Sequence, residues 1–282
     1  MEHCSMTYQE RLKQHLAEYK RTALGIPEPG IFRYRGRDVS VEHILPIEHA
    51  WRNLLPDYEE PIRAHLDAKK VKRHQYFHHL NSSQAFAFNL FYPFFAGGEA
   101  AAAPLLRAFG QTGRLKDWKL EYIPDKPDKK EGTNIDVWWK TNDGVETFCE
   151  VKLSEADFGK AKNDARHIEK LLTKYGPKLA GYVDPSLLEP AAFFKSYQIL
   201  RNVWHMKSEP GSRLVFLLPK ANEGLWPILD AVVGKISRPL QDRISKVAVE
   251  DVFSAVLADT ECPVALRDYA AKCQCKYVLP GQ

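Results

Sequence analysis

The tripeptide Asn142-Asp143-Gly144 stands between two short runs rich in Val, Trp, Phe and Ile, 134–140 and 145–153, and this is the tightest constraint in the 282-residue chain. Apolar runs so close together read as two strands of one hairpin. A three-residue hairpin loop commonly ends in a residue at positive φ, which glycine adopts without steric cost. With 142–144 as that loop, Thr141 pairs with Val145, and counting back along the antiparallel pair sets Asp136 opposite Glu150. Side chains return to one face every second residue, so Glu150 and Lys152 share a face. Asp136, Glu150 and Lys152 then converge on one patch. A two- or four-residue loop would instead turn Asp136 to the opposite face.

Two neighbouring carboxylates repel, which raises the cost of ionising both. A hard divalent cation relieves that cost, and Mg²⁺ takes oxygen ligands while keeping several waters. Such an ion polarises a phosphodiester and helps activate water. The main-chain carbonyl of Val151 is a further candidate ligand beside Asp136 and Glu150. Lys152 could orient or deprotonate the attacking water, or stabilise phosphorane charge. Against this stands a bland alternative: Asp136 merely near a strand end, and Glu150 with Lys152 as a same-face ion pair. A lone Glu-x-Lys carries little information. The weight lies in the combination of an Asp on the preceding strand, a tight turn, and Glu-x-Lys inside an apolar strand. A helix predicted over 159–175 adds Lys160, Lys162 and Arg166 on a phosphate-facing surface.

Helices are expected at 8–19, 44–55, 61–80 and 99–109, with Ser82-Ser83 capping a strongly apolar, buried segment at 85–95. From Trp118 the character changes. Strands are expected at 118–123, 134–140 and 145–153, with a charged loop at 124–132. Then come helices at 159–175, ended by Gly176-Pro177, and at 190–207. Strands at 214–218 and 246–249 and a helix at 252–258 close the order. This is an α/β layout with helices against a central sheet. It divides as a helical N-terminal region, 1–96, and a core with C-terminal elements, 97–282.

No apolar run reaches the length of a membrane span, and the N-terminus, Met1-Glu2-His3-Cys4, lacks the basic-then-apolar order of a secretory signal. A cytoplasmic location with no membrane partner is expected. Five scattered cysteines do not make a disulfide framework, and Cys273 and Cys275 have no second pair to complete a zinc site. His74, His78 and His79 follow the basic run 69–73, which reads as a solvated helix face. A net charge of +4 is compatible with nucleic acid without demanding it.

Ile135-Asp136 followed by Phe148-Cys149-Glu150-Val151-Lys152 resembles the signature of the PD-(D/E)XK nuclease superfamily, the restriction-endonuclease-like class, in which the Asp and the Glu-x-Lys share a β-hairpin. The clearest match covers 132–159, within a core at 99–219. Ser-Ser-Gln-Ala-Phe, Asn-Leu-Phe-Tyr-Pro-Phe and Tyr197-Gln198-Ile199-Leu200-Arg201-Asn202 resemble a bacterial branch of that superfamily. The resemblance implies a restriction-endonuclease-like core, a central mixed β-sheet flanked by helices, here with an N-terminal helical extension. It also implies one or two Mg²⁺ or Mn²⁺ ions. Asp136 and Glu150 become metal ligands and Lys152 the catalytic lysine. Ile135 stands where the signature's name has Pro. Some members add a carboxylate from the first core helix, for which Glu99 is the candidate; its plain alternative is an acid favoured near a helix N-terminus. Related nucleases place a Gln from a later helix beside the site, for which Gln198 is the candidate; its plain alternative is an ordinary helix residue.

Three functions compete. The leading one is metal-dependent hydrolysis of DNA by an endonuclease, in restriction, phage defence or repair. The second is a non-catalytic nucleic-acid-binding or assembly module that retains the fold. The third is partner recognition by the aromatic and His-rich stretch 51–79. Double-strand cleavage commonly uses two active sites, which admits a homodimer or a protein partner. The segments 69–73 and 160–166 are the best candidates for backbone contacts with DNA.

Overall fold

The computed structural model describes residues 6–124 and 134–281. Cys4, all but the first residue of the 124–132 loop, and Gly132-Thr133 lie outside the described residues. The chain divides into two compact units: Met1–Leu115, Pro219–Ala221 and Ala248–Gln282 make the first, Lys116–Leu218 and Asn222–Val247 the second.

In the first unit the apolar segment forms the helix Ser83–Ala96, and the Ser82 side chain caps it by accepting from the Ala85 N–H. Most of its side chains are buried, as a helix without a polar face requires. Pro93 has no N–H to give to the Asn89 carbonyl one turn earlier. The Tyr269 hydroxyl, from the helix Val264–Tyr277, donates to that carbonyl at 2.8 Å instead. The Asn89 side chain accepts from the Leu55 N–H at 2.9 Å and donates to the Asn53 carbonyl at 3.0 Å and the Tyr277 hydroxyl at 2.7 Å. Thus the C-terminal helix, which the apolar periodicity does not predict, closes the core around the N-terminal helices.

Other helices of this unit differ in length from expectation. The first spans Tyr8–Thr22 behind a Thr7/Glu10 capping box. The 44–55 helix is only the 3₁₀ segment Ile47–Asn53. The 61–80 helix is Glu59–Lys69, stopped where Lys70 turns left-handed at φ 54°, so the run 69–73 is not a helix face. The expected 99–109 helix is Glu99–Ala108, and 252–258 extends to Val249–Ala258. The unit also holds a hairpin of β1 (Gly30–Tyr34) and β2 (Arg37–Val41), entered after Pro29.

The second unit holds a five-stranded sheet: β3 (Leu115–Tyr122), β4 (Ile135–Thr141), β5 (Glu146–Val151), β6 (Arg213–Leu218) and β7 (Ile244–Ala248), in that spatial order. Strands β4 and β5 are antiparallel, β5 and β6 parallel, so the sheet is mixed and helix-flanked as the resemblance implies. A parallel neighbour needs a crossover. Residues 152–212 supply it, and their helices bury Leu171, Tyr175, Phe193, Ile199 and Val203 against Phe148, Leu214 and Phe216.

That crossover departs from expectation. Residues 159–164 are irregular, and the helix starts only at Ala165, where Asp164 caps the His167 N–H. Lys160 and Lys162 therefore precede the helix. Gly176-Pro177 does not end it: a π-helical turn, Leu171–Tyr175, runs into Gly176–Leu179. A Cβ at Gly176 would lie 2.8 Å from the Leu171 carbonyl oxygen, so glycine permits that turn. The 190–207 helix is two, Pro190–Lys195 and Tyr197–Ser208, broken at Ser196. A further helix, Leu225–Val233, follows β6. Among the described residues no helix is long and apolar enough to cross a membrane, and Cys149, Cys262, Cys273 and Cys275 are free thiols.

Lys276 is wholly buried, donating to the Asn53 carbonyl at 2.5 Å and side-chain oxygen at 2.9 Å, and burial pushes its ammonium down to about 7. In the unfolded chain the same lysine stays protonated to ~10.4. Between these values the unfolded state binds more protons, so stability rises with pH. From pH 7 to 8, short of the ~8.5 at which unfolded cysteines are half-ionised, the gain is about 1 kcal/mol. Urea unfolding should show this slope in wild type and lose it in Lys276→Met; parallel pH profiles would contradict the assignment. Tyr269→Phe, which strips the Asn89 carbonyl of its donor, should cost about 1–3 kcal/mol in the same measurement.

Candidate active site

The hairpin forms with the predicted register. Thr141 N–H donates to the Val145 carbonyl at 3.0 Å and Gly144 N–H to the Thr141 carbonyl at 3.0 Å, with Gly144 at φ 87°. Val137 pairs with Cys149, Trp138 with Phe148 and Trp139 with Thr147. One residue further, this register sets Asp136 opposite Glu150. Hydrogen-bonded and non-hydrogen-bonded pairs alternate along an antiparallel ladder, and Thr141–Val145 is of the first kind. The ladder runs to Val137–Cys149, and one step beyond it the Asp136 carboxylate, not a continued strand pair, takes the Val151 N–H.

Glu150 shares its face with Phe148 and is buried to 1% exposure, beneath the helix Tyr197–Ser208. That helix delivers two amides at i and i+4, hence on one face. Gln198 Nε2 donates to Glu150 Oε1 at 2.5 Å, and Asn202 Nδ2 donates to Oε2 at 2.8 Å. Lys152, 8% exposed, donates through Nζ to Glu150 Oε1 at 2.9 Å and to Gln198 Oε1 at 3.0 Å. A single glutamine amide thereby clamps both members of the Glu-x-Lys pair. Burial opposes the Lys152 charge, but Glu150, Glu155 and Asp136 outweigh it and hold the ammonium above the ordinary lysine value.

Asp136 is half-buried, and its Oδ2 accepts from the Val151 N–H at 2.7 Å. Burial first, then the charges of Glu150 and Glu121, push its carboxyl well above the usual range; Lys152 and the Val151 N–H offset only part of this. Glu121 has a left-handed backbone at φ 49°, uncommon for a non-glycine residue, and accepts from Asn134 Nδ2 at 2.8 Å.

The loop after β5 supports the clamp. Gly159, at φ 86°, lies so near Gln198 that a Cβ there would be 2.8 Å from Oε1. Asp157 holds the Gly159 N–H at 2.8 Å and pairs with the exposed Lys160 at 2.8 Å. Glu155 accepts from the Leu153 N–H at 2.7 Å, and its carbonyl accepts from Asn222 Nδ2 at 3.0 Å.

The structure thus gathers Asp136, Glu150, Lys152 and Gln198, with Val151 contributing its N–H. Glu99 belongs to the first unit, at the start of the helix Glu99–Ala108, and pairs with Arg114 at 3.2 Å. Sequence reasoning passed over Asn202, Gly159, Glu155 and Glu121. Only Asn202 left a signal, a second amide one turn after Gln198 on the same helix.

Among the described residues no group of three or more His, Cys, Asp or Glu side chains is disposed to hold a metal ion. The donors for a cation are therefore the two carboxylates with main-chain or water oxygens. A carboxylate offers about four acceptor positions. Glu150 uses two on Oε1 and one on Oε2, and Asp136 Oδ1 takes no hydrogen bond among the described residues. An oxygen-preferring divalent ion fits this set: it would use the remaining positions and relieve the repulsion that lifts the Asp136 carboxyl.

Neither the curated proteins nor the solved structures contain a match to this chain. A family model described as Restriction Endonuclease associating with ARP matches residues 13–278, which takes in both compact units and the whole β4–β5 hairpin. With its mixed, helix-flanked sheet, the chain belongs to this restriction-endonuclease-like family.

Proposed function

We propose that the chain is a metal-dependent endonuclease that hydrolyses DNA phosphodiester bonds, in restriction, phage defence or repair. The observation that carries this is the pair of neighbouring carboxylates, Asp136 on the Val151 N–H and Glu150 one residue before it, with Lys152 held beside Glu150 by Gln198. Asp136 and Glu150 would hold the ion, Mg²⁺ or Mn²⁺, with the Val151 carbonyl as a further candidate. When bound, the ion supplies Lewis-acid polarisation of the phosphate and a more acidic water.

The chain's own groups do the rest. Lys152 is held above its ordinary pKa, so it serves to stabilise charge and orient water rather than to take a proton. Two of its three N–H groups are committed to Glu150 and Gln198, leaving one for a phosphate oxygen or water. Gln198 and Asn202 keep Glu150 in one rotamer, which fixes the ligand geometry before substrate arrives. A second reading, a binding module without catalysis, draws on the same fact: Glu150 is already satisfied by three donors and needs no ion to be tolerated.

Cleavage assays on supercoiled, linear and single-stranded DNA with Mg²⁺, Mn²⁺ or EDTA separate the two. Wild type should cut only with metal. Glu150→Gln and Asp136→Asn should abolish cutting, and Lys152→Met should lower it by about 10²–10³-fold. Equal cutting by Glu150→Gln and wild type would sink the assignment, and folded wild type that binds DNA without ever cutting would favour the module. Gly159→Ala should lower kcat by displacing the Gln198 amide. Because Gly159 acts through Gln198, adding Gln198→Ala should then cost little more; full additivity would refute that positioning role.

A further inference from the structure

The β1–β2 hairpin projects three arginines with little to neutralise them. Tyr34-Arg35-Gly36-Arg37 closes it with Arg35 at φ 51° and Gly36 at φ 78°, the two left-handed residues of a tight hairpin turn. Arg33, Arg35 and Arg37 are exposed, and the acid paired with Arg33, Asp38, is 3.9 Å away. The Arg35 guanidinium lies 5.1 Å from the Tyr34 ring centre. The segment 69–79 adjoins the hairpin, with the Phe32 ring 5.8 Å from Tyr76 and 5.6 Å from His79. It carries Lys69, Lys70, Lys72 and Arg73 and no acid. Three arginines less one aspartate in 30–41, with these four cations, give the two segments a formal +6; the whole chain is +4, so the remainder is net negative.

The charge is therefore concentrated on one part of the first unit. Interleaved with it are two large rings open to solvent, Tyr34 at 51% and Tyr76 at 41% exposure. Cations alone would suit any polyanion. Exposed rings among them suit a polyanion that presents a flat π face with every charged unit, as a strand with unpaired bases does and a run of carboxylate side chains does not. We infer that the β1–β2 hairpin and the 69–79 segment form a binding surface for single-stranded DNA, arginines on the phosphates and bases stacked on Tyr34 and Tyr76. This takes DNA as the substrate, as proposed above, and adds a binding surface outside the second unit's catalytic cluster.

The test is fluorescence anisotropy of the full chain with a labelled oligothymidylate and with a duplex of equal length, in EDTA, so that cleavage plays no part. Wild type should prefer the single strand. Arg35→Glu/Arg37→Glu should weaken it by at least roughly tenfold and flatten the salt dependence by about 0.7 in log–log slope for each phosphate no longer neutralised. Tyr34→Ala and Tyr76→Ala should each weaken binding between about five- and a hundredfold, and the phenylalanine variants should not. Lys195→Glu/Arg238→Glu, at exposed positions of the second unit, matches the charge change and should bind as wild type. An equal loss in that control, or undiminished binding in the hairpin variants with melting curves unchanged, would overturn the inference. So would tighter binding of poly-glutamate through the same arginines, which marks an acidic protein partner. DNA binding without any metal-dependent cutting would count against the nuclease reading alone.

Discussion

Two carboxylates stand close together at the end of the β4–β5 hairpin, Glu150 buried and Asp136 half-buried. Asp136 shows the consequence: burial and the charges of Glu150 and Glu121 lift its carboxyl well above the usual range. A fold tolerates such a pair only if the surrounding groups answer the charge. Here Lys152 answers part of it, and two helix amides answer another part by satisfying Glu150. What is left over among the described residues is one Asp136 oxygen without a hydrogen bond and one acceptor position on Glu150, the positions on which the proposed cation would draw. The electrostatic tension within the hairpin is thus the source both of its polar shell and of the chemistry proposed for it.

The architecture around the hairpin follows from satisfying that shell. Strand β6 lies parallel to β5, so the chain must cross over before returning, and the crossover brings Tyr197–Ser208 above Glu150. Buried Phe148, Phe216, Ile199 and Val203 hold that helix to the sheet. Three donors meet the buried Glu150 carboxylate, which rigidifies its surroundings, while the Asn202 side-chain oxygen is buried without a partner among the described residues. Gly159 completes the arrangement by yielding space where any side chain would collide with Gln198. The first unit solves a related problem without charge pairs. Its central helix loses a backbone donor at Pro93, and a tyrosine hydroxyl from the C-terminal helix replaces it.

Legibility in the sequence tracked the range of the interactions involved. The Asp136–Glu150–Lys152 patch could be read because a three-residue turn and a two-residue side-chain period are local rules, and both held. The strand order could be read in outline from apolar runs. Helix limits fared worse where one residue's backbone decided them. Lys70 turns left-handed and ends a helix that its neighbours' composition would continue, and Asp164 starts one later than periodicity suggests. At Gly176-Pro177 the usual stop signal failed because a π-helical turn accommodates the pair.

The sequence by itself determined the hairpin, its register and the identity of the three charged groups on one face, since all of these depend on residues within about a score of each other. Only the tertiary structure decided what Glu150 meets. Gln198 and Asn202 lie 48 and 52 residues further along the chain, and no local periodicity specifies which strand their helix will cover. The same holds for Tyr269, 180 residues from the carbonyl it satisfies. Pairings of that span are fixed by how buried apolar faces fit together, and the polar contacts they enclose become visible only once the chain is packed.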